Sequence, residues 1–216
     1  IKTLLSPEGS MSIQPSTNAL VVTDRAENLK AIAKTLADFD ALVHECHARG
    51  IRVVIDWVPN HTSDRHAWFQ ASRSSRDDPK RDFYVWRDPA PGGGPPNDWT
   101  STFEACGAAW TLDERTGQYY LHSFMPEQPD LNWENPEVIK ALYKTVDFWL
   151  EMGVDGLRLD AVPYLFERNG TNCENLPETH QALKDLRTHI DGTYADRMLL
   201  AEANQWPEDA VDYFGK

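Results

Sequence analysis

Three charged residues on two short apolar runs could do chemistry. In Gly156-Leu157-Arg158-Leu159-Asp160-Ala161, strand alternation puts Arg158 and Asp160 on one face and Leu157, Leu159 and Ala161 on the other. A guanidinium beside a carboxylate lowers the carboxylate pKa and keeps it ionised, which makes Asp160 a nucleophile candidate. Glu202 closes the apolar run Met198-Leu199-Leu200-Ala201, where partial desolvation would raise its pKa toward the range of a general acid. One carboxylate held charged and one held protonated is the pairing used in glycoside hydrolysis, and a retaining mechanism needs them ~5 Å apart. Asp56-Trp57-Val58-Pro59-Asn60-His61 adds further polar side chains at the end of another apolar run. Each of these has a plainer alternative: a solvated strand face for Arg158 and Asp160, an acid at a helix N-terminus for Glu202, and a structural histidine for His61.

The elements around these residues favour the chemical reading. Leu36, Phe39, Leu42, Val43 and Cys46 recur at helical spacing, Thr35 with Asp38 resembles a capping box, and Gly50 marks a stop. The β-branched run Ile51–Val58 then reads as a buried parallel strand. The pattern repeats twice. Asn135-Pro136 opens a helix that stops at Gly153 before the strand Val154–Ala161, and Pro177 opens a helix ahead of Met198–Ala201. Trp206-Pro207 starts one more helix. Three strands therefore end at Asp56, Asp160 and Glu202, as in a βα series. Between Asp56 and Asp160 there is far more chain than the ~30 residues of one barrel unit. The surplus, Thr62–Asn132, is rich in Pro and Gly and reads as an irregular insertion in a βα loop. Residues 1–34 form an N-terminal segment of unknown role, with a helix starting near Asp24.

Composition narrows the partners. Across 216 residues, 21 basic against 34 acidic side chains give a net charge of −13, which offers no electrostatic footprint for nucleic acid or an anionic membrane. No apolar stretch approaches the ~20 residues of a membrane span. Eight Trp, seven Tyr and eight Phe suit ligands with apolar faces and hydroxyl edges, such as sugars. Cys46, Cys106 and Cys173 are odd in number and lack metal-ligand spacing, so buried, inert thiols in a reducing compartment are expected. With no secretion signal at the start of the chain, the expected localisation is cytoplasmic.

Asp56–His61, Gln128-Pro129-Asp130-Leu131-Asn132, Gly156–Ala161 and Ala201-Glu202-Ala203-Asn204 together resemble four successive signature regions of the α-amylase family of glycoside hydrolases. The resemblance covers about residues 35–216. It implies an α/β fold: part of a (β/α)8 TIM barrel, about strands 3 to 5, made by residues 35–61 and 133–216, with residues 62–132 as an inserted domain B after the third strand. It further implies that Asp160 is the nucleophile and Glu202 the general acid/base of a reaction that retains the α-anomer. Arg158 would position Asp160, His61 would contact the sugar, and Asp56 would support the cluster. A structural Ca²⁺ is implied on Asn60, Asp130 and Glu167 and the carbonyls of Tyr164 and Leu165, an all-oxygen set that suits the ion.

Two subtype signals coexist. Tyr164–Glu167, Gly170–His180 and Glu202-Ala203-Asn204-Gln205-Trp206-Pro207 resemble trehalose synthases of that family. Gly93–Trp99 and Gly117–His122 resemble its oligosaccharide α-glucosidases. The favoured expectation is interconversion of maltose and trehalose, with hydrolysis of short α-glucosides as the alternative and an inactive fragment or non-catalytic carbohydrate-binding module as a reading of another class. Expected partners are maltose, trehalose or short α-glucosides, with oligomerisation of a full-length enzyme. The resemblance also calls for two strands before residue 35, three after residue 216 and a third catalytic Asp that no segment here matches. Little or no turnover is therefore expected from these 216 residues alone.

Overall fold

The structure is a computed structural model. It describes residues 10–14, 19–23 and 26–214, with side chains from residue 30 onward. A hairpin comes first: β1 (Ser10–Gln14) pairs antiparallel with β2 (Ala19–Thr23), Ser10 opposite Thr23. The long helix α1 (Ala26–Ala48) follows. It starts nine residues before the Thr35 expected from the capping pattern, close to the helix start read at Asp24. Thr35 is in mid-helix, its hydroxyl bonded back to the Ala31 carbonyl at 3.0 Å, and Asp38 accepts from the Lys34 ammonium at 2.6 Å, so the apparent capping box does not form.

The three expected strands form one parallel sheet. β3 (Val54–Trp57), β7 (Gly156–Leu159) and β8 (Met198–Ala201) lie in the order β3-β7-β8, so each new strand joins on the same side, as along the wall of a barrel. The register sets Asp56 beside Arg158 and Arg158 beside Leu200. At Gly156 an added Cβ would lie 2.6 Å from the Met198 carbonyl oxygen, so the close approach of β7 and β8 requires glycine.

Each strand is preceded by a helix whose apolar stripe covers one sheet face. In α3 (Pro136–Glu151), Val138, Leu142, Val146 and Leu150 are buried at four-residue intervals. Its start is fixed by Asn135, whose side chain accepts from the Glu137 N–H at 2.9 Å, and by Pro136 in the first turn. Gly153, at φ 92°, takes the left-handed turn that ends it. In α4 (Pro177–Thr193), Thr179, Ala182, Leu186 and Ile190 are buried. These stripes pack with Trp57, Leu157 and Leu159 into the main core. On the other sheet face Val54, Met198 and Leu200 remain 38–52% exposed, and Asp56, Arg158, Asp160 and Glu202 share that open side.

Between β3 and α3 lies a separate antiparallel sheet of β4 (Trp86–Arg87), β5 (Trp110–Asp113) and β6 (Gln118–Leu121), in the order β4-β6-β5. The short helix α2 (Ala67–Ser72) packs against it through Phe69, whose ring lies 5.0–5.8 Å from those of Tyr84, Trp86 and Tyr120. The segment is fastened back to the end of β3 by the Leu131 N–H on the Asn60 carbonyl at 2.8 Å and the Trp133 indole N–H on the Pro59 carbonyl at 2.9 Å. After β8 the expected helix is only one turn, α5 (Pro207–Ala210), running into a 3-10 turn at Val211–Tyr213. The three cysteines are free and half-buried, not the fully buried thiols expected, because each sits in a surface helix or loop.

Candidate active site at the strand ends

The C-terminal ends of β3, β7 and β8 converge on Arg158. Its Nη1 lies 2.5 Å from Asp56 Oδ1 and 3.1 Å from Asp160 Oδ1, and its Nη2 lies 2.7 Å from Glu202 Oε1. One guanidinium thus ties together carboxylates from three strands, which its rigid fork of five donors can do and a lysine cannot. The placement follows from the pleat: Asp56 and Arg158 are side by side in register, Asp160 is two residues along on the same face, and Glu202 continues β8 with its N–H on the Leu159 carbonyl at 2.9 Å. Ala161, at φ 54°, turns the chain sharply after the nucleophile candidate.

The protonation pattern differs from the expectation. Asp160 is held above the ordinary carboxylate range, first by burial, then by a hydrogen bond to Glu202 and the charge of that neighbour, against the lowering influence of Arg158. Arg158 is shared among three acids, so it does not dominate any one of them. Glu202 is 47% exposed in its side chain, so the desolvation expected at the end of an apolar strand is weak there. Asp160 and Glu202 both reach the Arg158 guanidinium, at 3.1 and 2.7 Å, so the two carboxyls are neighbours at the ends of adjoining strands.

Next to this group stands His61. Its Nδ1 faces the Asn60 amide at 3.4 Å and its Nε2 faces the Gln128 amide at 2.9 Å. Burial lowers its pKa to about 4, so the ring is neutral near pH 7 and presents hydrogen-bonding groups, not charge. Phe124 lies between His61 and Tyr164, tilted against the first at 5.5 Å and edge-on to the second at 5.2 Å.

Behind His61 lies a buried acidic pair. Asp130 is 1% exposed and accepts from the Ser123 N–H at 2.8 Å, the Ser123 hydroxyl at 2.5 Å and the Asn60 amide at 3.1 Å. Burial nevertheless pushes its pKa up to about 7. Glu167 is raised well above its usual range by burial and by the charge of Asp130, and its Oε1 is buried without a hydrogen-bond partner. Leu165 is buried and Tyr164 half-buried. Two desolvated carboxylates, Asp130 and Glu167, the second with an orphaned oxygen, make a donor chemistry that suits a hard dication.

Asp56, Arg158, Asp160 and Glu202 therefore meet directly, while Asn60, His61, Asp130 and Glu167 form an adjoining group. Ser123 and Phe124 touch Asp130 and His61, although no sequence pattern marks them. Gln128, within the segment Gln128–Asn132, binds the His61 ring.

The chain is similar to known proteins of one family. Residues 26–216 match the family model described as "Alpha amylase, catalytic domain". The chain is 56% identical over 182 residues to a trehalose synthase of Pimelobacter sp. (strain R48), covering 84% of this chain and 31% of that one. It is 58% identical over 128 residues to an oligo-1,6-glucosidase of Heyndrickxia coagulans, covering 59% and 23%. Its fold is similar to a crystal structure of Bacillus licheniformis trehalose-6-phosphate hydrolase, with TM-score 0.76, 37% identity and coverage of 82% and 33%. The chain thus spans about a third of the length of these longer relatives.

Proposed function

Because this chain belongs to the alpha-amylase family, we propose that it carries the nucleophile and the acid/base of a retaining enzyme that interconverts maltose and trehalose. The observation that carries this reading is Arg158 holding Asp56, Asp160 and Glu202 at adjoining strand ends. In the first half-reaction an Asp160 oxygen attacks C1 of the glucosyl unit. The C1–O bond to the second glucose breaks, and Glu202 gives its proton to the departing oxygen. In the second, a hydroxyl of that glucose attacks C1, returns a proton to Glu202 and displaces Asp160. His61, neutral and anchored by Gln128, offers hydrogen bonds to the sugar, and Asp56 holds Arg158 in place.

Residues 62–132 act in this scheme as an inserted domain B walling one side of the crevice, through Phe124 and Gln128. A Ca²⁺ ion would be held by Asn60, Asp130 and Glu167 with the carbonyls of Tyr164 and Leu165. When bound, it neutralises the two buried acids and fixes the insertion to the strand ends.

The oligo-1,6-glucosidase similarity supports one competing reading, hydrolysis of short α-glucosides. Both share the first half-reaction and differ in whether sugar or water accepts the glucosyl group. Maltose is supplied to a polypeptide of the relatives' full length that contains these residues, and the products are resolved by chromatography. Trehalose is expected, and glucose as the sole product would replace the proposal with hydrolysis.

A further inference from the structure

The loop after β7 and the loop after β8 meet at one polar contact that the chemistry above does not use: the Gln205 amide donates to Glu174 Oε2 at 3.4 Å. Glu174 stands fourteen residues beyond Asp160 and Gln205 three beyond Glu202, so the contact joins the segments that carry the two catalytic carboxyls. The backbone aims Glu174 at some cost. Both its neighbours, Cys173 at φ 60° and Asn175 at φ 59°, are non-glycine residues in the left-handed region, as is Asn204 at φ 29° immediately before Gln205. Such backbone conformations collect at functional sites. Neighbouring bonds hold the arrangement. The Asn175 N–H bonds the Pro163 carbonyl at 2.9 Å, the Glu174 N–H bonds the Asn172 side chain at 3.2 Å, and His180 Nε2 meets the Asn175 side-chain oxygen at 2.9 Å. His180 also packs edge-on against Tyr213 of the second loop, with ring centroids 4.7 Å apart.

Glu174 forms part of the wall of a cavity of about 380 Å³, together with Trp99, Thr102, Tyr164 and Cys173. Tyr164, in the same wall, packs edge-on against Phe124, whose ring in turn lies against His61, so this cavity lies on the His61 side of the site.

We propose that Glu174 is a positioning residue that sets the choice between sugar and water as glucosyl acceptor. By fastening the two loops through Gln205, it closes this side of the crevice, so that a released glucose stays beside the glucosyl-enzyme while bulk water is kept out. The proposal rests on the transglucosylase reading but concerns only the second half-reaction.

The test measures two quantities in a polypeptide of the relatives' full length containing these residues. One is the rate of nitrophenol release from a nitrophenyl α-glucoside in a single-turnover burst. The other is the ratio of transfer to added glucose over transfer to water. Losing a hydrogen bond to a charged group shifts an equilibrium by about tenfold or more when buried, and this one is long and half-exposed. Glu174→Ala is therefore expected to lower the transfer ratio about three- to tenfold, with the burst rate changed far less. The exchange Glu174→Gln with Gln205→Glu, which restores an amide facing a carboxylate, should recover the ratio. Should Glu174→Ala fail to fold, Gln205→Ala removes the same contact and carries the test. An unchanged ratio, or burst and transfer falling in proportion, would overturn the proposal. Since added glucose serves as acceptor, the ratio is read even if maltose alone yields no trehalose, an outcome that would sink the proposed function and leave the role of Glu174 to be decided separately.

Discussion

Replacing Arg158 by Met should move the acidic limb of activity toward neutral pH and slow the reaction at every pH. Arg158 reaches Asp56, Asp160 and Glu202 at 2.5, 3.1 and 2.7 Å, and it is the group whose hydrogen bond lowers the Asp160 pKa against burial and two like charges. The nucleophile must be ionised. Its folded pKa already lies above the ordinary value, so activity is lost as pH falls through that raised value. Removing the cation raises it further, and activity is then lost at a higher pH. A guanidinium beside a carboxylate commonly lowers its pKa by 1–3. With the Arg158 side chain 36% exposed, the low end applies, and the limb should rise by about one pH unit. Orientation is lost as well, and misplacement by about 1 Å can cost on the order of 100-fold. The assay is kcat/KM on a nitrophenyl α-glucoside from about pH 4 to about pH 9, which brackets both limbs, in a polypeptide of full relative length. Arg158→Lys should keep most of the limb position and little of the rate, since an ammonium contacts fewer of the three acids at once. A limb that stays put in Arg158→Met, or shifts to lower pH, would refute the assignment of Arg158 as the charge that keeps Asp160 usable.

Other expectations follow from individual contacts. Chelation should lower the melting temperature: an ion at 100 times its Kd adds about 2.7 kcal/mol, or roughly 5–10 °C for a chain of this size, and Asp130→Asn should abolish the difference seen by scanning fluorimetry. The His61 ring should titrate near 4 in an NMR pH series. Because its folded pKa lies below its ordinary value, its contribution to stability is full above about 6.5 and declines as pH falls toward 4, beyond which it declines no further. A midpoint near 6.5 would mean that the ring is solvated. Leu186, fully buried under the sheet, should cost about 3–5 kcal/mol on truncation to Ala in urea unfolding, whereas exposed Leu42→Ala should cost far less. Gly156→Ala should be at least as damaging as Leu186→Ala, because the new Cβ meets backbone.

Strand ends were legible because a carboxylate interrupting an otherwise apolar run is a strong one-dimensional signal, and Asp56, Asp160 and Glu202 all carry it. Helix starts at Asn135-Pro136 and Pro177 were legible for the same kind of reason, local stereochemistry. That the helix read near Asp24 runs unbroken through Thr35 was not, because Thr35 and Asp38 resemble a capping pattern that tertiary packing overrides: Ile32, upstream of both, is buried. Nor was the charge state of Asp160 readable. Sequence spacing gives its neighbour Arg158, but burial first, and then Glu202, 42 residues away, raise the Asp160 pKa against that cation. The link from Glu174 to Gln205 is equally invisible in one dimension, although both runs had been singled out as subtype-like.

The role of Asp160 is tested most directly by trapping. A polypeptide of full relative length containing this chain is incubated with 5-fluoro-α-glucosyl fluoride, whose intermediate hydrolyses slowly, then digested and analysed by mass spectrometry. A single fluoroglucosyl group on the Asp160 side chain, absent in Asp160→Asn, is the expected result. A label on Asp56 or Glu202 instead, or full turnover by Asp160→Asn, would contradict it.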